Sequence, residues 1–474
     1  MSSCRTCETP LCSLKVSRRS FLAAAGAAAA ATRIGLFDFA SSLFAEEPKP
    51  PGKPVVRVVY VRPEKEPIVS WPGGNCDVPA QQALFTKTLQ DAAKLLDIQL
   101  EVRHEPLYKP EDVSAFLDQV RKAPPDGLIV GAMSLETWQP VGEIVQKRGD
   151  VPTIVYSHVT GFTSHLQLAR NLPRTFVGAT PDVEWLAFAL RMFNTTWRMR
   201  NTRILMVTSA GPDVTLKPWG TVLHAIDRPR FEEELKKVEE SDEVRAIADF
   251  YAKNAEKVIE PTKKEILDAA RNYFVCRRLM EAEKCQGISI ACLGWTNPVC
   301  MCFSKLLDEG IVAGCEGDAN AAIGELLTIL LFNRAGFMQD PSPNTVDNTL
   351  IGAHCTSPLR LEGFDKPYRA PYMLRSYHTR TGCSVQALWP VGKEVTVLHA
   401  DAGSAAMWVG TGRVRSNIAQ PPTGCCRTSV EIELDRVADT RDVKGFHQLF
   451  ILGNLERGFR AYGQLAGIQV APIA

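Results

Sequence analysis

Between positions 315 and 358 the chain reads CEGDANAAIGELLTILLFNRAGFMQDPSPNTVDNTLIGAHCTSP, which gathers Glu316, Asp318, Asp340, Asp347 and His354 around one apolar segment. Carboxylate and imidazole donors grouped in this way suit a hard or borderline divalent cation. The pattern predicts strand or turn up to Glu316, a helix over 321–332 with Leu326, Leu327, Leu330 and Leu331 as its buried stripe, and a loop carrying Asp340. Glu316 and Asp340 then flank the two ends of one packed element. Asp318, at the start of that helix, is favoured there by the helix dipole alone. Of the eight histidines, His354 follows the acidic segment directly, and His447 stands in Lys444-Gly445-Phe446-His447-Gln448 just before the last expected helix.

The elements that must position these groups alternate between strands and helices. From Pro54 the expected series is strand 55–61, helix 81–96, strand 98–103, helix 110–122 and strand 127–131, continued by 138–146 and 152–156. Helices of this length between β-branched strands imply a parallel sheet with right-handed crossovers. A second α/β unit begins near Thr180, with helix 183–198, strand 203–208, a charged helical surface over 230–249, a helix 263–283 capped by Thr262, and strand 287–293. Beyond Pro358 the period changes to two, over 384–389, 394–401, 405–410 and 428–434, before a helix at 455–466. The fold expected is therefore α/β, two doubly wound parallel-sheet domains followed by a β-rich, barrel-like C-terminal domain. The boundaries read are 54–179, 180–350 with the metal carboxylates, and 351–474.

Ahead of these lies a leader, 1–45. Arg18 and Arg19 in SRRSFL precede an Ala-rich apolar run and a small-residue site at Leu43-Phe44-Ala45. This resembles a twin-arginine export signal, which implies passage through the Tat machinery, already folded, to the periplasm. Retention of the leader as a single-span anchor is the other reading. No later stretch is long and apolar enough to span a bilayer. A net charge of +1, with 45% hydrophobic and 23% charged residues, describes a globular chain with no electrostatic claim on nucleic acid. Of 14 cysteines, Cys4, Cys7 and Cys12 precede the signal, which leaves 14 − 3 = 11. An odd count cannot pair completely. Cys300, Cys302, Cys425 and Cys426 read as packed thiols, with no disulfide scaffold expected.

The motifs Cys315-Glu316-Gly317-Asp318, Gly336-Phe337-Met338-Gln339-Asp340, Gly352-Ala353-His354-Cys355 and Gly445-Phe446-His447 together resemble the metal-binding core of the L-fucose isomerase and L-arabinose isomerase superfamily. The likeness covers the C-terminal half, and the N-terminal half by architecture only. It implies a manganese-dependent aldose-ketose isomerase and a homo-oligomer whose subunits complete one another's sites. Glu316 would match the glutamate that binds metal and acts as acid and base. Asp340, 340 − 316 = 24 positions later, would match the fucose-type aspartate, and His447 its remaining ligand. His354 would match a further ligand of the arabinose-type enzymes, in which a glutamate stands where this chain has Gln339. Gln339 and His378 are candidate contacts to a sugar. Trp71-Pro72-Gly73-Gly74-Asn75 follows the first strand, where α/β ligands bind, and reads as a turn. Two rival readings remain, an exported sugar-binding protein without catalysis and an isomerase homologue that no longer turns over. Metal-assisted hydrolysis shares the ligand types but has no matching motif.

Overall fold

A computed structural model describes residues 52–64, 77–158, 160–377, 380–418 and 426–474. The leader with Arg18 and Arg19, the segment from Trp71 to Asn75, His378 and Cys425 lie outside the described residues.

Strands β1 (Val55–Val61), β2 (Gln99–Val102), β3 (Gly127–Ala132), β4 (Thr153–Ser157) and β5 (Thr175–Ala179) form a parallel sheet in the order β2-β1-β3-β4-β5. Winding reverses at β1, so the crossover helices cover both faces. Val58, Tyr60 and Ile154 pack with Phe85 and Leu89 of helix Val78–Leu96 and with Phe193 of helix Trp185–Arg200. Their neighbours Val59, Val61, Val130 and Val155 pack with Phe116 of helix Pro110–Lys122 and Ile144 of helix Trp138–Lys147. Burial on both faces is why these strands read as continuous apolar runs.

Next come β6 (Arg203–Thr208), β7 (Val214–Thr215), β8 (Val222–Asp227), β9 (Lys257–Val258), β10 (Gly287–Ile290) and β11 (Val312–Cys315). All but β9 form the second sheet, in the order β11-β10-β6-β8-β7, parallel except for the edge strand β7. Here winding reverses at β6, so the carboxyl ends of β6, β10 and β11 lie side by side, where ligands of open α/β sheets bind. Helix Lys263–Ala282 opens with the expected cap: Thr262 Oγ1 accepts from Glu265 N at 3.2 Å, and Glu265 Oε2 accepts from Thr262 N at 2.8 Å.

The remaining strands are β12 (Phe337–Asn344), β13 (Thr349–His354), β14 (Tyr372–Arg375), β15 (Ser384–Ala387), β16 (Glu394–Asp401), β17 (Ala406–Asn417), β18 (Thr428–Leu434), β19 (Gln448–Leu452) and β20 (Gln469–Pro472). Six of them close an antiparallel barrel, β16-β19-β12-β13-β18-β17, through pairing of β16 with β17, and β20 adds in parallel to β17. Helix Glu456–Ala466 lies between β19 and β20.

Three sequence expectations are corrected. The boundary placed at 350 falls inside the β12–β13 hairpin, because the barrel already begins at Phe337 and Asp340 is a strand residue rather than a loop residue. Pro341 and Pro343 disguise β12. They are tolerated because β19 pairs only with Phe337–Gln339, leaving the proline stretch with one neighbour, β13. The run at 384–389 is not a barrel strand either: β15 pairs with β14, and β14 with β9 of the central unit. Arg375 in β14 grips Glu260 with Nε and Nη2, each at 2.7 Å from one carboxylate oxygen. That sheet ties the third unit to the second.

Helix Ala319–Phe332 runs from β11 to β12 and is mostly apolar, with most of its residues buried. Its Phe332 stacks on Phe188 of helix Trp185–Arg200 and meets Phe459 of helix Glu456–Ala466 edge-on, with centroids 5.9 and 4.8 Å apart. Glu325 is fully buried on this helix, and its Oε2 accepts from Gly336 N at 3.0 Å while Oε1 has no partner. Burial pushes the carboxyl up from 4.5 to about 8, against the lowering effect of the Gly336 amide. The folded chain therefore keeps a proton that the unfolded chain loses above 4.5. The stability this contributes is full below that pH and is lost as pH rises through about 8. Glu325→Gln should flatten this fall, a difference on the order of a few kcal/mol in urea unfolding at pH 8 relative to pH 5. Parallel pH profiles for the two proteins would refute the assignment.

Candidate metal centre

The chain leaves β11 through two consecutive residues in the left-handed region, Glu316 at φ 61° and Gly317 at φ 68°. For glutamate that conformation costs on the order of 1 kcal/mol. At Gly317 a Cβ would sit 2.8 Å from Thr208 Cγ2, so only glycine lets the turn lie this close to β6. Asp318 follows as the N-cap of helix Ala319–Phe332, accepting from Ala321 N at 3.0 Å. The turn thus presents Glu316 at the shared carboxyl edge of the second sheet.

The barrel supplies the other groups. Asp340 comes from β12, His354 is the last residue of β13, and His447 immediately precedes β19. One oxygen of Glu316 lies 3.7 Å from His354 Nε2 and the other 3.5 Å from His447 Nε2. Asp340 Oδ1 is 3.1 Å from the same His447 nitrogen. Ligand atoms of Glu316, His354 and His447 all fall within 4.8 Å of one another. The imidazoles are buried, with side chains 5% and 2% exposed, whereas Asp340 at 41% and Glu316 at 23% face the opening.

His354 Nε2, His447 Nε2 and Asp340 Oδ1 are buried polar atoms with no hydrogen bond. An imidazole nitrogen buried without a hydrogen bond is costly unless a charge partner or a ligand meets it. Glu316, His354 and His447 bring their ligand atoms close enough together for one divalent cation, so that donor set fits a metal, with Asp340 beside it. The other nitrogen of each ring is already engaged. His447 Nδ1 donates to Asp318 Oδ2 at 2.6 Å, and His354 Nδ1 lies 3.4 Å from Thr356 Oγ1. A carboxylate on the far side of a ligating imidazole fixes the ring and raises its basicity.

Charge follows the same geometry. Contacts with His354 and then His447 hold the Glu316 carboxyl well below the usual carboxylate range, against the opposing effect of burial. For His447 burial works against the imidazolium, but Asp318, Asp340 and Glu316 outweigh it and push the group up to about 11. Asp318 is likewise lowered, since the contacts with His447 and the Ala321 amide overcome its burial. Without a cation the imidazolium proton balances the carboxylates; Glu316, His354 and His447 would have to release it to hold one.

Four of the expected residues, Glu316, Asp340, His354 and His447, therefore come together although 131 positions separate the first from the last (447 − 316). Gln339 does not join them. It is fully buried, and its Nε2 donates to Gln448 Oε1 at 3.2 Å beneath Gly352. Successive strand residues point to opposite faces, so with Asp340 at the site Gln339 points into the barrel. The expectation that it touches a sugar is corrected on that ground. Asp347 belongs to the β12–β13 turn, where Asn344 Nδ2 donates to it at 3.2 Å and Arg415 lies 3.5 Å away. Asp318 is the functional residue that sequence reasoning undervalued: its position two residues after Glu316 was visible, its contact with His447 was not. The nine described cysteines are free, among them Cys315 and Cys355 directly beside Glu316 and His354.

No family model matches the chain, and no curated protein does. Among solved structures the chain is similar to the sugar-binding protein of a sugar ABC transporter from Bacillus halodurans, with 13% identity and a TM-score of 0.17 over 66% of this chain and 95% of that one. At that TM-score the likeness carries no argument. Among the described residues no helix is long and apolar enough to cross a membrane.

Asp318→Asn keeps a good N-cap but removes the charged acceptor from His447 Nδ1. Titration with Mn2+ should show affinity lowered by about 10- to 100-fold with unfolding little changed. Unaltered affinity would mean that Asp318 serves the helix alone.

Proposed function

We propose that this protein is a metal-dependent aldose-ketose isomerase acting on a free sugar such as L-fucose or L-arabinose, with Glu316, Asp340, His447 and His354 holding Mn2+ or another divalent cation. The observation that supports this best is the convergence of ligand atoms of Glu316, His354 and His447 within 4.8 Å of one another, with Asp340 Oδ1 3.1 Å from His447 Nε2. Two carboxylates at the open side of such a centre are the groups that moving a carbonyl between C1 and C2 requires. One takes the proton from C2 of the aldose and returns it to C1. The other exchanges the proton between O2 and O1, so the sugar passes through an enediol with no net loss of atoms. A divalent cation bound there supplies Lewis-acid stabilisation to the negative charge that develops on the two oxygens. Glu316, 23% exposed at the opening, is placed to accept the first proton, and the partly exposed Asp340 to exchange with the hydroxyls. His447, locked by Asp318, holds its Nε2 toward both carboxylates.

The leader with Arg18 and Arg19 supports export as a folded, metal-loaded protein. Assembly as a homo-oligomer rests on the family resemblance.

Metal analysis of the purified chain, coupled to a ketose-formation screen over fucose, arabinose and related aldoses with Mn2+, tests the reading. Turnover should fall by at least about 100-fold in Glu316→Gln and in Asp340→Asn. Sugar bound without metal and without turnover would replace this reading with that of a binding protein.

A further inference from the structure

Phe446, the residue before the ligand His447, is 70% exposed, yet its ring lies against the His447 imidazole with centroids 4.4 Å apart. A single exposed apolar side chain is ordinary on a protein surface. This one differs in the rigidity of what carries it. Gly445 is at φ 92°, and a Cβ there would meet the His399 ring at 2.3 Å. His399 Nδ1 donates to the His447 carbonyl at 2.8 Å. Lys444 N donates to Ile473 O at 2.8 Å, and Gln448 Nε2 to Lys444 O at 2.8 Å. The chain on both sides of Phe446 is tied down, so the phenyl stands on a fixed turn while most of its surface faces solvent. Its ring neighbour is the His447 imidazole, whose Nε2 lies 3.5 Å from Glu316 and 3.1 Å from Asp340.

We infer that Phe446 is a substrate-positioning residue, a platform on which the apolar C–H face of a sugar or alditol stacks while its vicinal oxygens reach the Glu316–Asp340 centre. The inference deepens the isomerase reading and rests on it for the class of ligand. A sugar has hydroxyl edges and a patch of C–H bonds. The carboxylates and imidazoles take the polar end, and a rigid, largely solvated ring offers the apolar complement at little entropic cost. Preference among aldoses would then follow the configuration that leaves an unbroken C–H face toward the ring.

The test uses the full-length, Mn2+-loaded protein and the alditols of the same sugars, which bind without reacting. Calorimetry should show alditol affinity lowered by about tenfold in Phe446→Ala and restored in Phe446→Trp, with Mn2+ affinity unchanged in both. Alditol affinity that stays the same in Phe446→Ala overturns the proposal, whether or not the oligomer dissociates. So does an equal loss of Mn2+ affinity, which would make the ring a mere prop for His447. Wild-type protein that binds alditol but forms no ketose would sink the isomerase reading while leaving the role of Phe446 tested. Wild-type protein that binds Mn2+ but no alditol would sink both.

Discussion

Helix Ala319–Phe332 is the element on which the rest of this structure depends. Its N-terminus is fixed by β11 through the Glu316-Gly317 turn, its C-terminus feeds β12 of the barrel, and its flank lies against the barrel strands. At Gly324 a Cβ would stand 3.0 Å from Leu449 Cδ1, so the Leu449 side chain of β19 packs directly on the helix. Because His447 directly precedes β19, this contact helps to set the distance between the carboxylate turn and the imidazole. The packing of an apolar helix between a sheet and a barrel is thereby also the positioning of a polar site.

The chemistry of the site and its cost to the fold come from the same atoms. Burying two imidazoles and leaving Asp340 Oδ1, His354 Nε2 and His447 Nε2 without hydrogen bonds is unfavourable unless something else fills the space they share. Opposite charges lessen that cost, the His447 imidazolium facing Glu316, Asp318 and Asp340. The strained φ of Glu316 adds to it. Strain, desolvation and an unsaturated donor set at one place are what a site held ready for a ligand displays, and the surrounding core of packed leucines and phenylalanines supplies the stability that tolerates them.

Much of the fold was legible along the chain. The central strands of the first sheet, Thr262 as a helix cap, and β16 and β18 stand where periodicity and capping put them, because apolar spacing is set by which faces are buried locally. The errors share one cause. Pro341 and Pro343 read as loop because a proline in a doubly paired strand would forfeit a hydrogen bond, and only the shortness of β19 pairing releases β12 from that rule. The alternating run at 384–389 announced a strand correctly but carried no information about its partners, which turned out to be β14 and, through it, β9. Gln339 and Asp340 are adjacent in sequence, yet the pleat sends one into the barrel and the other to the site.

The sequence by itself determined the layered α/β character, the barrel at the C-terminal end and the identity of the carboxylates and histidines, since all of these follow from residue type and short-range spacing. Only the tertiary structure decided that Asp318 meets His447, that Gln339 points away from the cluster and that Phe446 stands exposed against the His447 ring. Those outcomes depend on contacts across 129 positions in the case of Asp318 and His447, and on which side of a strand the core takes. Local periodicity reports that a face is buried; the long-range closure of the barrel chooses what it is buried against.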